Sequence, residues 1–417
     1  MDGEFGVVRT PRNIVFGAGQ RAALPAYAMA MGEKALIVTD DRMSGDMAFG
    51  HLHDGLSKAG VSVSVFSGTL PELPADCIAA GVAQGRAFNA DLVIGIGGGS
   101  CMDAAKIIAL LLAHGGEISD YYGEFKVPGP VLPLIALPTT AGTGSEVTPV
   151  AVVSDKGRAV KVGIASPHLI PHTAICDPEL TYGCPPALTA VSGADALTHS
   201  IEAFTTRRQM PSPTIAHQHV FLGKNAMSDL YALKAIRLIG RSLGRAVRNG
   251  DDREARADMM LGATLAGLAF GTAGTAAAHA IQYPVGALTN TAHGLGVAAM
   301  MPYVMEFNLP VSIAAMAEIA TEMGLPIDGI DQAQRATVAV DGVAALFAEI
   351  GIPSDIKALG MTEDKLAWTA EQALSAARLV KNNPRPLDIQ SMSMLVVAAF
   401  NGDRKTLRNA HPQKEVI

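Results

Sequence analysis

Four side chains of the kinds that bind divalent metals stand in two pairs along the chain. Asp195 and His199 are four residues apart on a predicted helix, so both project from one face. His279 and His293 lie within residues 259–305, a stretch that contains no Asp, Glu, Lys or Arg. Imidazoles in such surroundings need polar partners, and one carboxylate with three imidazoles suits Fe(II) or Zn(II), with a position left open for substrate.

Residue types and spacing alone leave a second interpretation open. Each histidine by itself is more typical of a hydrogen-bonded core residue than of a metal ligand. On charge alone, residues 259–305 could also be taken for a membrane span. Their Ala, Gly and Thr content, interrupted by Gln282, Pro284 and Asn290, instead predicts closely packed buried helices around a site and no membrane association.

A glycine loop follows an apolar run at residues 92–96. Gly97, Gly98, Gly99 and Ser100 lead directly into a helical pattern over residues 101–112. A strand, a glycine turn and a helix together direct backbone N–H groups and a positive helix end towards a phosphate, so a phosphate-bearing cofactor is predicted. A tight turn that only needs positive φ is the alternative, although it requires fewer glycines.

The loop departs from the usual dinucleotide fingerprint, because Ser100 replaces the third glycine and no acid follows at the usual distance. Asp40, at the end of the predicted strand 35–39, could accept hydrogen bonds from ribose hydroxyls and repel a 2′-phosphate, which favours NAD over NADP. Asp40 fits a helix N-cap equally well. A second loop, residues 138–146, offers hydroxyls and two glycines to a polar ligand, or forms an ordinary turn.

The elements that must position these residues change in character along the chain. Strand-like runs at residues 14–16, 35–39, 61–66, 92–96, 134–137 and 173–176 alternate with helical stretches such as 21–31 and 76–88. This alternation predicts an α/β, Rossmann-like and mostly parallel sheet. Residues 148–154 and 160–164 suggest a further strand pair around a turn at 155–157. From Leu188 onward only helical periodicity occurs, so we divide the chain into 1–184 and an all-helical 185–417.

Bulk composition agrees with a compact globular protein and argues against several classes. The chain has 417 residues, enough for two domains, with 49% apolar and 17% charged residues. A net charge of −7 without basic runs argues against nucleic acid and favours a small-molecule partner. Four scattered cysteines predict reduced thiols, and the N-terminal twenty residues lack an apolar leader, so a cytoplasmic location is expected.

Taken together, these motifs resemble the iron-containing alcohol dehydrogenase family, from about residue 13 to residue 385. The resemblance is carried by Gly97–Ser100 with Asp103 and Lys106, by residues 138–148, by residues 195–203, by His279 with His293, and by residues 383–385. It implies a dehydroquinate-synthase-like fold with a cleft between the two domains, a homodimer, and metal binding by Asp195, His199, His279 and His293. It also implies that residues of the two loops, and three residues outside them, contact the cofactor. These residues are Asp40, Gly97, Gly98, Gly99, Ser100, Asp103, Thr139, Thr140, Thr143, Ser145 and Lys161.

Two features depart from the common family pattern. Tyr283 stands where many members have another histidine, four residues after the third predicted ligand, so this chain lacks that histidine for a proton relay. Tyr283 is our catalytic candidate, and a role in packing or orientation is the alternative that we favour. Residues 207–229 look longer than usual, and with Tyr283 they are similar to the hydroxyacid-oxoacid transhydrogenase branch.

We therefore expect a metal-dependent NAD(H) oxidoreductase that interconverts an alcohol and an aldehyde or ketone by hydride transfer at a metal-bound substrate oxygen. A transhydrogenase is one alternative. A lyase of the same fold that uses NAD and Zn(II) on a sugar-phosphate-like substrate is another, disfavoured because residues 259–305 lack the Lys and Arg that such a substrate needs. A non-catalytic nucleotide-binding protein is the third.

Overall fold

Nine strands form among the residues that the structure describes, all of them in the first half of the chain. A computed structural model describes residues 5–155 and 161–408. The strands are β1 (Asn13–Phe16), β2 (Lys34–Val38), β3 (Ser62–Phe66), β4 (Leu92–Gly97), β5 (Gly123–Glu124), β6 (Leu134–Pro138), β7 (Val150–Val153), β8 (Val162–Ala165) and β9 (Thr173–Cys176).

Helices make up most of the remainder and dominate the second half. They are α1 (Leu24–Met29), α2 (Asp41–Ser44), α3 (Met47–Lys58), α4 (Ala75–Phe88), α5 (Gly99–His114), α6 (Pro186–Thr205), α7 (Ile215–Gln218), α8 (Ala226–Arg248), α9 (Arg253–Ala273), α10 (Ala277–Thr289), α11 (His293–Asn308), α12 (Ile313–Glu322), α13 (Gln332–Glu349), α14 (Leu366–Ser375), α15 (Ala377–Asn382) and α16 (Ile389–Asn401).

Six strands form one parallel sheet in the order β1, β9, β6, β4, β2, β3. The central strands β4 and β6 are buried along their whole length, as expected where helices cover both faces of a parallel sheet. Because all six strands run the same way, β2, β4 and β6 end at one edge, where Gly97 pairs with Pro138. The predicted α/β half is confirmed, and this edge gathers both predicted cofactor loops.

A small second sheet has the order β5, β8, β7. The pairing of β7 with β8 is antiparallel, which confirms the expected strand pair. Lys156, Gly157 and Val160 of the predicted turn and strand lie outside the described residues. The sequence missed β5, which pairs with β8 in parallel, because a strand of two residues carries no periodicity.

The helical half surrounds a single large apolar core. Helices α6, α8 and α9 pack together at its centre, and α10 packs on α11. No strand occurs among the described residues beyond Leu188, which confirms the all-helical prediction. The main sheet ends at Cys176 and α6 begins at Pro186, on either side of the proposed division at residue 184, which stays a prediction.

The uncharged residues 259–305 form most of α9, all of α10 and most of α11. These residues are largely buried, as predicted. Within the described part of the chain, no single helix is both long and apolar enough to cross a bilayer. By length and composition alone, α9 and α10 qualify as a pair, with a bend of 101° between them.

Candidate metal and cofactor site

Three of the four predicted metal ligands converge in the helical half. Asp195 and His199 project from one face of α6, and His279 lies in the first turn of α10. Asp195 Oδ1 is 3.9 Å from His199 Nε2 and 3.8 Å from His279 Nε2. One ligand atom from each of the three residues lies within 4.8 Å of the other two, a spacing that suits one shared ion.

The atoms that face each other in this group lack partners. Asp195 Oδ1 and His279 Nε2 are buried and have no hydrogen-bond partner within residues 5–155 and 161–408. Burial raises the pKa of Asp195 to about 6 and lowers the pKa of His199 well below its ordinary value. The His199 imidazole and the unpartnered His279 Nε2, beside a desolvated carboxyl group, form a donor set that a divalent cation would satisfy. The residues therefore fit a metal ion.

His293 lies beside this group without being part of it. It begins α11, and its ring centroid is 5.4 Å from that of His279. Burial also lowers the pKa of His293 well below its ordinary value, and its Nδ1 has no partner among the described residues. A fourth metal ligand at His293 stays a prediction.

Glu202 contacts His279 at the metal group, and the sequence reasoning assigned it no role. It lies on α6, one turn beyond His199, and its buried carboxylate accepts from the backbone N–H groups of Ala276 and Ala278, both at 2.8 Å. His279 Nδ1 is 2.6 Å from Glu202 Oε2. Glu202 therefore caps α10, which has no side-chain cap of its own, and orients the His279 ring. Its position seven residues after Asp195, on the same helix face, was the signal available in the sequence.

The glycine loop has the predicted strand, turn and helix geometry. Gly97 ends β4 with φ 149°, Gly98 is the N-cap of α5, and Gly99 begins that helix. A Cβ at Gly99 would lie 2.5 Å from Thr143 Cγ2, while one at Gly98 would approach Thr140 Oγ1 only to 3.6 Å. The two predicted cofactor loops therefore lie against each other, and the helix N-terminus between them can accept a phosphate.

Asp40 is a helix N-cap, as one of its two interpretations predicted, and its contact with the cofactor ribose stays a prediction. Asp40 Oδ1 accepts from Met43 N at 2.7 Å and caps α2. Asp40 Oδ2 faces the glycine loop, where it accepts from Cys101 Sγ at 3.6 Å and lies 3.9 Å from the position of a Cβ on Gly97. One oxygen thus caps the helix, while the other faces the glycine loop.

The remaining predicted cofactor residues extend from the glycine loop towards the metal group. Ser100 lies in the first turn of α5, and Thr139 directly follows β6. Asp103 accepts from Ser145 Oγ at 2.6 Å and from Val152 N at 2.9 Å, so it joins α5 to the second loop and to β7. Burial, its largest influence, raises the pKa of Asp103. These contacts give Asp103 a structural role in addition to its predicted cofactor contact.

A cavity of about 220 Å³ opens beside His293 between the two halves of the chain. Glu72, Lys161, Tyr283 and Thr291 help to line it. Lys161 Nζ forms an ion pair with Glu72, whose other oxygen accepts from His293 N at 3.4 Å. The Tyr283 ring lies 6.3 Å from that of His293, and burial raises the pKa of its phenol. The cavity thus has room for a small molecule and reaches the fourth predicted ligand.

All four cysteines are free thiols, as predicted. Cys101 and Cys176 are buried, and burial raises the pKa of both. They are therefore inert packing residues at neutral pH.

Two family models cover most of the chain. Residues 11–178 match the model described as iron-containing alcohol dehydrogenase, and residues 189–400 match the model of the C-terminal part of the same family. These matched ranges contain every predicted site residue.

Individual relatives agree with the family models. A long-chain-alcohol dehydrogenase from Geobacillus thermodenitrificans is 36% identical over 88% of this chain and 89% of its own length. An NAD-dependent methanol dehydrogenase from Bacillus methanolicus is 35% identical over 88% of this chain and 92% of its own length. The crystal structure of a 1,3-propanediol oxidoreductase matches with a TM-score of 0.89 at 33% identity, covering 95% of this chain and all of that one.

Proposed function

The chain belongs to the iron-containing alcohol dehydrogenase family, and we propose that it uses NAD(H) and a divalent metal to interconvert an alcohol and an aldehyde or ketone. The single observation that carries this proposal is the convergence of Asp195, His199 and His279, in which Asp195 Oδ1 and His279 Nε2 are buried without partners among the described residues. The glycine loop, at the end of β4 where a dinucleotide is expected, supports it.

We assign the metal to Asp195, His199, His279 and His293, with Fe(II) favoured and Zn(II) as the alternative. The chemistry supplied by the bound groups is Lewis acidity towards the substrate oxygen from the metal and hydride acceptance from NAD. Glu202 holds the His279 ring so that its Nε2 points into the metal group.

We assign the cofactor to the two loops and to Lys161, at the cavity. Gly97, Gly98 and Gly99 allow close approach of the pyrophosphate, and Asp40 selects NAD through the ribose. The hydroxyls of Thr139, Thr140 and Thr143, with those of Ser100 and Ser145, offer hydrogen bonds along the same path. Lys161, which pairs with Glu72 and lines the cavity, would contact the cofactor there.

Tyr283 orients the substrate in our assignment. Its phenol stays protonated at neutral pH because burial raises its pKa, so it donates a hydrogen bond in the cavity and is a poor proton acceptor. A homodimer, a cytoplasmic location and the division into residues 1–184 and 185–417 belong to the same proposal.

Metal analysis of the purified protein combined with an NAD(H)-coupled panel of alcohols and aldehydes tests this function. We expect stoichiometric iron or zinc, net NADH formation with short alcohols, loss of activity on chelation and recovery with added Fe(II) or Zn(II). Full activity in metal-free protein would contradict the proposal. Turnover that needs a hydroxyacid and an oxoacid together, without net NADH, would instead indicate the transhydrogenase.

A further inference from the structure

The break between α9 and α10 determines where His279 points. Helix α9 ends at Ala273 and α10 begins at Ala277, with a bend of 101° between them. Such a break leaves backbone carbonyls unpaired at the end of one helix and N–H groups unpaired at the start of the next. His279 is the third residue of α10, so a small rotation of the break would displace its ring.

Two buried side chains from distant parts of the chain bond to these groups, and the backbone N–H of Gly223 also donates to Ala273 O at 3.2 Å. On one side, Glu202 accepts from the N–H groups of Ala276 and Ala278. On the other, Asn382, the last residue of α15, donates from Nδ2 to Ala273 O at 2.9 Å and to Thr275 O at 3.1 Å. The break is therefore held from both ends.

Backbone and side chain approach each other closely at this point. Gly274 has φ 83°, and a Cβ there would lie 2.9 Å from Asn382 Nδ2. Asn382 is 8% exposed, and its own carbonyl accepts from Arg207 N at 2.9 Å. A shift of Asn382 therefore moves the break itself, because little space separates them.

We infer that Asn382 is a positioning residue for the metal site. It fixes the α9–α10 break and so places the His279 ring next to Asp195 and His199. The inference rests on the proposed function, since it assumes that these three residues bind a metal. Its effect passes through Ala273 and Thr275 to the start of α10, where Glu202 completes the alignment.

A matched control exists in the next residue. Asn383 is 2% exposed, and its Nδ2 donates to Asn308 Oδ1 at 2.8 Å and to Arg385 O at 2.7 Å. Asn308 ends α11, about 22 Å along that helix from His293 at a rise of 1.5 Å per residue. Asn383→Ala thus removes three buried side-chain hydrogen bonds, against two in Asn382→Ala, and none of the three is made to the α9–α10 break.

The experiment measures Zn(II) and Co(II) affinity by competition with a chromophoric chelator, the Co(II) absorption spectrum, and urea unfolding of the metal-free protein. We expect Asn382→Ala to weaken Zn(II) binding by at least about tenfold and to alter the Co(II) spectrum. Asn383→Ala should keep both properties even though its loss of stability is equal to or larger than that of Asn382→Ala. Asn382→Ser, which keeps one donor, should fall between wild type and Asn382→Ala, and it serves as the test variant if Asn382→Ala does not fold.

Unchanged metal affinity in the Asn382 variants, or an equal loss in Asn383→Ala, would overturn the inference and leave Asn382 as a stabilising residue only. A wild-type protein that binds neither ion would instead overturn the proposed function. The two failures are distinguishable, because the first requires a wild-type protein that binds metal.

Discussion

Oε2 of Glu202 lies 2.6 Å from Nδ1 of His279, and the opposite ring nitrogen lies 3.8 Å from Asp195 Oδ1. A carboxylate only accepts hydrogen bonds, so Nδ1 carries the proton and Nε2 keeps its lone pair free. The backbone N–H groups of Ala276 and Ala278 prevent the carboxylate from turning away. The ring is therefore held in the tautomer that a metal ion requires.

Glu202→Gln should weaken metal binding by roughly 10- to 100-fold. The amide can donate to Nδ1, which would place the ring proton on Nε2, where the metal binds. Zn(II) titration measures the loss. Glu146→Gln is the matched control, because Glu146 is equally buried and accepts from Thr264 Oγ1 at 2.9 Å outside the metal group. Equal metal affinity in both variants would refute the orienting role.

Asp40→Ser should raise the preference for NADP over NAD. Serine still caps α2, but it removes the negative charge that repels a 2′-phosphate. The ratio of kcat/KM for the two cofactors should shift by at least about tenfold towards NADP, which corresponds to about 1.4 kcal/mol. Asp46→Ser is the control, since Asp46 caps α3 through Ala48 N at 2.8 Å. A ratio that moves equally in both variants would mean that Asp40 is only a helix cap.

Gly98→Ala should lower NADH affinity without lowering stability. The backbone at Gly98 is extended, with φ −76° and ψ −173°, and no side chain comes closer than 3.6 Å to the new Cβ. The methyl group would instead occupy the space through which the pyrophosphate approaches. NADH fluorescence titration should show a loss of at least about tenfold, with the thermal midpoint unchanged.

The control for this prediction is Gly50→Ala in α3, where nothing lies within 4 Å of the new Cβ. It should stabilise the protein by about 0.5–1 kcal/mol and leave NADH binding unchanged. Wild-type NADH affinity in Gly98→Ala would argue that the dinucleotide binds elsewhere.

Local pattern was enough to predict most of the fold. The apolar runs around Leu36, Ile94 and Ile135 form buried strands, because continuous apolar stretches of strand length fit only the inside of a parallel sheet. The spacing of Asp195 and His199 predicted a shared helix face, and α6 confirms it. Strand β5 was not predicted, because it has two residues and forms through its pairing with β8.

Contacts between distant segments could not be predicted in the same way. Glu202 and His279 meet because α6 and α10 cross, and Asn382 reaches Thr275 from more than a hundred residues away. Nothing in the periodicity of either segment specifies such a crossing, since periodicity reports only which face of an element is buried. The approach of His279 to Asp195 was anticipated from residue types, whereas its orientation by Glu202 was not.

Tyr283→Phe should reduce kcat/KM by about fivefold, the effect of losing one hydrogen bond of roughly 1 kcal/mol to substrate. The pH profile should not change, because the phenol stays protonated through the neutral range. Steady-state kinetics from pH 6 to 9 measure both. Tyr121→Phe, which removes a hydroxyl that donates to Gly115 O at 2.9 Å in the other half of the chain, should behave as wild type. A shifted pH profile in Tyr283→Phe would instead identify a proton-transfer role.

Lys106 should make the free energy of unfolding increase with pH above about pH 8. Its ammonium is fully buried in α5 and donates to Thr148 O at 3.0 Å and to Val150 O at 2.8 Å. Burial lowers its pKa from 10.5 to about 8, against the opposing effect of Asp103 at 4.0 Å. Between pH 8 and 10.5 the unfolded chain holds a proton that the folded protein has released, so the free energy of unfolding gains up to about 1.4 kcal/mol per pH unit.

Urea unfolding of the metal-free protein between pH 7 and 10.5 measures this contribution, with Lys106→Met as reference. The free energy of unfolding of wild type minus that of Lys106→Met should be nearly constant below pH 8 and should rise above it, because only wild type carries the buried amine. Lys365→Met removes a half-exposed lysine beside Asp364, so wild type minus this variant should give no such rise. A difference between wild type and Lys106→Met that falls with pH would mean that the folded state holds the Lys106 proton more tightly than the unfolded chain does.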